Sequence, residues 1–385
     1  MNQIVVPALV VLALALSGPT LRAEPIAVNS DSDVVETLPG GSGARREERK
    51  LRFALAEQPR DAAIAARVSQ HYLDKAREGG DPRYAGLAMA ALQPWATDAN
   101  APSNVLLLQA TLEQYLHQFD AAAGKLERLL QREPKTAQAW LTLATIRRVQ
   151  GRYDASDLAC QQLLNLNSAP YGPACLAENE ALRGRFDTAR AVFKQLLAAP
   201  RLDLDTRNWL LTSLAELEER AGRVDAARAA WAAALQARAA PYTVLSYADF
   251  LILHGHHAEA LKLLKDQPRN DGVLLRVAIA AVQSGAPGGD GQAREMRERI
   301  AAANLRPGTQ TFHGREQAMF ALWVDKQAPR ALELARENLR VQREPIDFLI
   351  MAQAARASGQ AQALRETEQL RREVKLLDQR VQALL

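Results

Sequence analysis

The sequence has few aromatic residues and no concentrated charge of either sign. Aromatic residues make up 5% of its 385 residues, while alanine, leucine, arginine, glutamine and glutamate dominate. Those five residue types lose little side-chain freedom in a helix, so the composition favours an α-rich fold. The 48 basic and 44 acidic residues leave a formal net charge of +4, and no basic block has interleaved aromatics. A phosphate backbone requires a concentrated cationic face, so the sequence argues against nucleic-acid binding.

Signatures of enzymatic chemistry are also missing from the sequence. Serine is sparse, no Gly-x-Ser-x-Gly segment occurs, and the two cysteines do not form a Cys-x-x-Cys pair. Carboxylates such as Glu218 and Glu219 lie in helical stretches with arginine nearby, which is typical of solvated helix faces. We therefore predict a protein that is not an enzyme and needs no cofactor. A catalytic domain within the irregular region 271–345 is the alternative.

The N-terminal residues have the pattern of an export signal. An apolar run from Ile4 to Leu16 is followed by helix breakers, and a small residue, Ala23, ends a cleavage site. The run is shorter than the roughly 20 residues that cross a bilayer, and no later segment is long and apolar enough. We predict a signal peptide at residues 1–23, a flexible linker at 24–48, and a periplasmic or secreted protein. An uncleaved N-terminal anchor is the alternative.

Self-similarity with a period near 34 residues is the strongest feature of the sequence. Small residues recur at spacings of 34, 33, 38 and 33, at Ala122, Ser156, Ala189, Ala227 and Ala260. Glycine precedes four of them by five residues, at Gly151, Gly184, Gly222 and Gly255. Because glycine tolerates the left-handed backbone of a tight turn, we predict that each repeat is a pair of amphipathic helices around one glycine turn.

This pattern resembles the tetratricopeptide repeat, with its period of 34 and its Trp-x2-Leu-Gly-x2-Tyr and Ala-x3-Phe segments. In residues 137–169, Trp140, Leu143, Gly151 and Tyr153 take the matching positions. The resemblance implies an all-α fold, a right-handed α-solenoid of helix hairpins that share a continuous core. It divides the chain into a degenerate repeat at 49–102, five clear units at 103–270, and degenerate units with a capping helix at 271–385.

The same resemblance implies a function in protein binding. Relatives of this fold bind ligands along the first helix of each hairpin, where aromatic and charged side chains on a concave surface suit an extended peptide. We therefore predict a protein–protein interaction scaffold of the cell envelope, with a protein or peptide partner in the concave groove. The matching positions in this sequence are Asn104, Thr111, Tyr115, Thr145, Arg148, Tyr171, Glu178, Trp209, Glu216, Arg220, Tyr242 and Asp249.

The two cysteines, Cys160 and Cys175, fall on neighbouring helices in the register that the resemblance implies. An exported protein occupies a compartment where disulfides persist, so we predict a bond between them. Two buried thiols that pack as small apolar side chains are the alternative.

Three histidines, His254, His256 and His257, surround the turn glycine Gly255. Imidazoles this close can bind Zn²⁺, Ni²⁺ or Cu²⁺, and a metal-handling periplasmic protein is our second functional hypothesis. Because the sequence shows no further ligands for such a site, we favour a solvated turn and predict no metal centre.

The C-terminal residues carry a short heptad pattern. Apolar residues at spacings of 4, 3, 4 and 3 occur at Leu370, Val374, Leu377, Val381 and Leu384. This seam predicts one long helix over residues 360–384 that caps the last repeat, with self-association through the same helix as the alternative.

Overall fold

The computed structural model describes residues 43–305 and 314–385 of the chain. The predicted signal peptide and residues 24–42 of the predicted linker lie outside the described residues. The end of the linker prediction is wrong, because helix α1 (Gly43–Glu57) begins inside it. The run Arg46-Glu47-Glu48-Arg49 consists of good helix formers, which favour a helix over a flexible coil.

The chain divides into two units, residues 1–49 and residues 50–385, and helix α1 crosses the boundary between them. The larger unit contains the repeats and every feature discussed below. All regular structure in the part that the structure describes is helical, which confirms the all-α prediction. None of the helices in residues 43–305 and 314–385 combines the length and apolarity needed to cross a membrane.

The clear repeats form five hairpins after an initial pair. The initial pair is α2 (Ala62–Gly79) with α3 (Pro82–Ala91), followed by a 3₁₀ turn at Gln93–Trp95. The five hairpins are α4 (Ser103–Tyr115) with α5 (Phe119–Arg132), α6 (Ala137–Val149) with α7 (Tyr153–Asn165), α8 (Tyr171–Leu182) with α9 (Phe186–Leu197), α10 (Leu204–Arg220) with α11 (Val224–Ala237), and α12 (Pro241–Leu253) with α13 (His257–Leu264).

Helix pairs also continue through the degenerate region. They are α14 (Asp271–Ser284) with α15 (Gly289–Asn304), α16 (Gly314–Trp323) with α17 (Ala328–Asn338), and α18 (Pro345–Ala357) with α19 (Ala361–Glu373), before a last turn of helix, α20 (Gln379–Gln382). In its described residues, region 271–345 therefore extends the stack of hairpins. A separate catalytic domain in that region is not supported.

Small residues at the helix crossings explain the period of the repeat. All five of the recurring small residues are completely buried, so neighbouring backbones approach closely there. A larger residue four positions later fills the core in each unit, at Leu126, Cys160, Phe193, Trp231 and Leu264. The turn glycines adopt positive φ, for example 73° at Gly151 and 84° at Gly184, as the turns require.

Residues about 190 positions apart in the larger unit touch each other. The Asn270 side-chain amide donates to the Gly79 carbonyl at 3.2 Å, and the Arg343 amide donates to the Val149 carbonyl at 2.7 Å. These long-range hydrogen bonds show that the stack of residues 50–385 winds through a full turn. Its C-terminal hairpins consequently return to the middle repeats and contact them.

The C-terminal heptad seam does not form one helix, so the prediction for residues 360–384 is wrong. Helix α19 ends at Glu373, Lys375 adopts a φ of 59°, and the chain continues as an extended segment into α20. We call residues 374–381 the C-terminal strap. Its apolar side chains Val374, Leu376 and Val381 are buried within the same chain. The C-terminal hairpins return to the middle repeats, and those repeats offer these side chains an apolar surface.

The strap runs along the glycine turns of three successive repeats. The Leu377 amide donates to the Leu182 carbonyl at 2.8 Å, beside the turn at Gly184. A Cβ atom placed on Gly184 would lie 2.8 Å from Leu377 Cδ1, and one on Gly151 would lie 2.7 Å from Val374 Cγ1. These two glycines therefore serve both a left-handed turn and a close approach of the strap.

Candidate ligand-binding cavity

A cavity of about 460 Å³ lies on the inner side of the winding stack. The first helices α6, α8, α10 and α12 form most of its wall, and the residues just before α18 close it from the opposite side. Seven of the twelve predicted binding residues line it, namely Thr145, Arg148, Glu178, Trp209, Glu216, Arg220 and Tyr242. The register derived from the repeat therefore brings these seven together.

The remaining five predicted residues lie outside this lining. On α4, Asn104 and Tyr115 donate hydrogen bonds to backbone carbonyls of the preceding hairpin, and Thr111 donates to the Leu107 carbonyl at 2.7 Å. Tyr171 stacks on Trp209 with ring centroids 5.6 Å apart. Asp249 pairs with Arg276 at 2.6 Å, an interaction between α12 and α14.

Helix α10 spans the cavity from one end to the other. Eleven residues separate Trp209 from Arg220, which corresponds to about 17 Å along the helix axis. At the N-terminal ends of the first helices the lining is aromatic, with Trp209 and Tyr242, and we call this end the mouth. At the C-terminal ends it contains Arg148 and Arg220 together with Tyr153 from the start of α7, and we call this end the floor.

Carboxylates and guanidinium groups alternate along the wall. Arg148 forms an ion pair with Glu178, which also accepts a hydrogen bond from the Ser213 hydroxyl at 2.6 Å. Glu216 accepts a hydrogen bond from the Tyr242 hydroxyl at 2.6 Å and lies 3.9 Å from Arg220. Burial raises the pKa of Glu216, and Arg220 only partly offsets that rise.

The opposite wall is organised by Arg315, at the start of α16. Arg315 Nε lies 2.6 Å from Asp347, and Arg315 Nη2 donates to both Asp347 and Glu344. Burial raises the pKa of Asp347 to about 6 despite Arg315. Burial acts in the same direction on Glu344, but Arg315 outweighs it and holds the pKa of that carboxyl below its ordinary value.

Three buried donor atoms at the floor have no hydrogen-bond partner, but one of them, Arg148 Nη1, forms the ion pair with Glu178. Tyr153 is 3% exposed and Arg220 is 5% exposed, yet neither Tyr153 Oη nor Arg220 Nε is hydrogen bonded. Buried polar atoms are almost always paired, because leaving one unpaired costs its full desolvation free energy. The floor thus presents two donors that an acceptor within the cavity would satisfy.

Sequence reasoning missed several residues of this site. Tyr153 occupies a repeat position that is ordinarily occupied by a packing residue, so nothing in the pattern marks its unpaired hydroxyl. Arg343, Glu344 and Arg315 belong to degenerate units in which the repeat register is lost. The only sequence signal for these residues is weak. It consists of the charged residues beside the glycine that begins α16 and the proline that begins α18.

The structure joins Cys160 and Cys175 in a disulfide, with Cα atoms 5.5 Å apart and both side chains fully buried. The bond links α7 to α8 at a sequence separation of 15 residues. A disulfide that closes a loop of about that length stabilises the folded chain by about 3 kcal/mol in the chain-entropy estimate. It therefore fixes one wall of the cavity to the hairpin before it.

Two of the three histidines at the turn between α12 and α13 contact different neighbours. His254 packs on Phe250, with ring centroids 4.5 Å apart, while His256 Nε2 contacts the Arg228 guanidinium at 3.3 Å. His257 is the first residue of α13. Within residues 43–305 and 314–385, no group of three or more His, Cys, Asp or Glu side chains is arranged to hold a metal ion.

A buried carboxyl connects the wall of the cavity to the C-terminal strap. Glu219, near the end of α10, accepts a hydrogen bond from Trp231 Nε1 at 2.6 Å and forms an ion pair with Arg380 of the strap. Burial raises the pKa of Glu219 to about 7, and the neighbouring carboxyls of Glu216 and Asp378 add to the rise. Arg380 and Trp231 oppose it without cancelling it.

This carboxyl predicts a pH dependence of stability. Because the folded chain holds the Glu219 proton more tightly than the unfolded chain, its contribution to stability is complete below pH 4.5 and is lost as the pH rises through about 7. The loss is about 3 kcal/mol, since one pKa unit corresponds to about 1.4 kcal/mol. Glu219→Gln stays neutral, so we expect it to reduce the decline of the unfolding free energy in urea titrations from about pH 5 to 8.

Burial also raises the pKa of Asp347, so Glu219→Gln should reduce the dependence of the unfolding free energy on pH rather than abolish it. The control is Glu333→Gln on an exposed face of α17, which should leave the slope unchanged. Identical slopes in the two variants would contradict the assignment to Glu219.

Solved structures of tetratricopeptide-repeat proteins are similar to this fold. A Rap protein, solved in complex with competence and sporulation factor, aligns over 86% of this chain and 92% of its own, with a TM-score of 0.50 and 11% identity. A tetratricopeptide repeat protein from Parabacteroides merdae aligns over 81% and 92%, with a TM-score of 0.40 and 11% identity. The APC/C hetero-tetramer Cut9-Hcn1 aligns over 89% and 73%, with a TM-score of 0.47 and 11% identity.

No family model and no curated protein matches the sequence. At 11% identity, the similarity to the Rap protein concerns the fold alone. Together with the helix pairs, it shows a tetratricopeptide-like α-solenoid, as the repeat pattern predicted.

Proposed function

We propose that this protein is a non-enzymatic interaction scaffold of the cell envelope that binds a peptide segment of a partner protein in the cavity. The observation that carries the proposal is the cavity itself, with an aromatic mouth, alternating charges on its walls and two unpaired donors at its floor. The export pattern of the N-terminal residues and the buried disulfide support the envelope location, since disulfides persist in oxidising compartments.

The dimensions of the cavity favour a short segment. The concave face is bounded by the backbone of Arg343, which is hydrogen bonded to Val149, and by the strap, which is hydrogen bonded to Leu182. An extended chain advances about 3.4 Å per residue, so the roughly 17 Å of α10 that line the cavity correspond to only about five residues of such a chain. A chain end or a tight loop fits this space better than a long peptide that runs along an open groove.

The mouth offers the contact area that peptide binding requires. Tyr242 is 59% exposed, although its hydroxyl is held by Glu216, and Trp209 is stacked on Tyr171. Rigid aromatic rings give a large contact area with little loss of side-chain freedom, and such residues dominate the energetics of protein interfaces. The mouth is therefore the region where a single substitution should weaken binding most.

Photo-crosslinking within the intact cell envelope tests this proposal. A benzoylphenylalanine residue in place of Tyr242 should form a specific adduct with the partner. The same residue in place of Leu158, which is 72% exposed on α7 and outside the cavity, should not form it. Adding Trp209→Ala to the first variant should reduce the adduct about tenfold or more, because interface aromatics carry much of the binding energy. Identical adducts from both positions, or none from Tyr242, would count against the cavity.

A further inference from the structure

We infer that the floor of the cavity binds a carboxylate group of the ligand, between the Tyr153 hydroxyl and the Arg220 guanidinium. The inference rests on the proposed function and adds the chemistry and the orientation of the bound segment. In this orientation the acidic group of the ligand enters the cavity first, and the apolar part of the ligand remains at the aromatic mouth.

The first step in the argument is the pair of unpaired donors. The side chains of Tyr153 and Arg220 are more than nine-tenths buried, and both line the same cavity. Arg220 Nε–H and Tyr153 O–H are donors, and a guanidinium has no acceptor atom at all. A group with acceptor atoms would satisfy both donors, and a carboxylate supplies two acceptor oxygen atoms.

The second step is the pairing of the carboxylates in the lining. Glu178 has Arg148 as its ion-pair partner, and Glu344 has Arg315. The Glu216 contact with Arg220 is long, at 3.9 Å, and Glu216 already accepts a hydrogen bond from Tyr242. Glu216 is thus the one carboxylate within ion-pair distance of Arg220 among the described residues, and Arg220 Nε–H has no hydrogen-bond partner, so a further acceptor would stabilise this buried cation.

The third step is the environment of the Tyr153 hydroxyl. Burial raises the pKa of Tyr153, while Arg220, Arg148 and Arg183 act to lower it and Glu344 to raise it. Three guanidinium groups therefore face this phenol, and Arg183 lies over its ring at 5.8 Å from the centroid. Arg148 and Arg183 already have carboxylate partners in Glu178 and Asp157, so Arg220 is the guanidinium that a bound anion would meet beside this hydroxyl.

Binding of short peptides to the full chain tests the inference. The probes are pools of N-acetylated tetrapeptides of alanine, leucine and phenylalanine with either a free C-terminal carboxylate or a C-terminal amide, and an amidated pool that contains one aspartate. We expect the first pool to bind at least tenfold more tightly than the neutral amidated pool in calorimetric titrations. Recovery of affinity in the aspartate pool would show that a side-chain carboxylate serves as well as a chain terminus, and no recovery would assign the site to the terminus.

Tyr153→Phe provides a sharp test, because it removes only the unpaired oxygen atom. We expect a five- to tenfold loss of affinity for the carboxylate pool, no change for the neutral amidated pool, and an equal or higher thermal midpoint. Arg220→Gln should abolish the preference for carboxylate. The matched control is Arg223→Gln, in the turn after α10 and outside the cavity lining, which should keep the preference.

The outcomes separate this inference from the proposed function. Equal affinities for carboxylate and amide, with both lost in Trp209→Ala, would overturn the carboxylate site and leave the peptide-binding cavity standing. A Tyr153→Phe variant with a lower thermal midpoint and unchanged affinity would also overturn it, since the hydroxyl would then have a structural role. Absence of binding by any pool would contradict the inference and the proposed function together.

Discussion

Replacing Arg315 with methionine is expected to lower the free energy of unfolding by about 3 to 5 kcal/mol, the usual effect of removing one partner of a buried ion pair. Arg315 neutralises two carboxylates, Glu344 and Asp347, and the side chain of Asp347 is almost completely buried. The Asn338 amide would still donate to Asp347 at 2.8 Å, but no cation would remain beside it. Urea unfolding at neutral pH measures the change.

A second substitution should restore most of the loss. Asp347→Asn in the Arg315→Met background removes the stranded charge, so we expect the double variant to be clearly more stable than the single one. Arg297→Met is the matched control, because Arg297 pairs with Asp325 at 2.5 Å on the surface, and such a pair is worth at most about 1 kcal/mol. Equal losses in Arg315→Met and Arg297→Met would contradict the buried cluster.

Replacing Gly184 with alanine is expected to destabilise the chain considerably more than the same change at Gly255. Both residues have positive φ, 84° and 75°, so alanine costs about 1 to 2 kcal/mol of backbone strain at each. Only the Cβ at position 184 meets Leu377, and displacing the strap adds about 1 to 3 kcal/mol, the typical cost of overpacking. No atom lies within 4 Å of a Cβ on Gly255.

Chemical unfolding of the two alanine variants measures this difference directly. The Gly184→Ala variant should also make the strap more accessible to proteolysis under native conditions, whereas Gly255→Ala should not. Equal destabilisation by the two substitutions would show that the strap does not rest on the glycine turn.

The repeat pattern was sufficient to predict the local architecture. The spacing of Gly151, Gly184, Gly222 and Gly255 predicts turns that the structure shows, because each turn is specified by residues close in sequence. Transfer of the repeat register also identified seven residues of the cavity lining. These are consequences of short-range periodicity, which one sequence displays in full.

The closing of the cavity could not be predicted in the same way. It depends on contacts such as those of Arg343 with Val149 and Leu377 with Leu182, nearly two hundred residues apart. The pitch and curvature that bring them together accumulate from small rotations at each hairpin, and no local motif encodes their sum. The seam at Val374, Leu377 and Val381 predicts one continuous helix for this reason, although Val374 and Leu377 pack on glycine turns that are distant in sequence.

The central claim is that the stack returns on itself and encloses the cavity, and one ion pair tests it without any mutation. Lys375 of the strap lies 2.9 Å from Asp154 of α7, and both side chains are more than half exposed, at 62% and 75%. A zero-length carbodiimide crosslinker should join this amine to this carboxylate within single chains, and mass spectrometry of a mixture of isotopically labelled and unlabelled protein identifies such bonds. Failure to form the crosslink, or its formation only between different chains, would contradict the account.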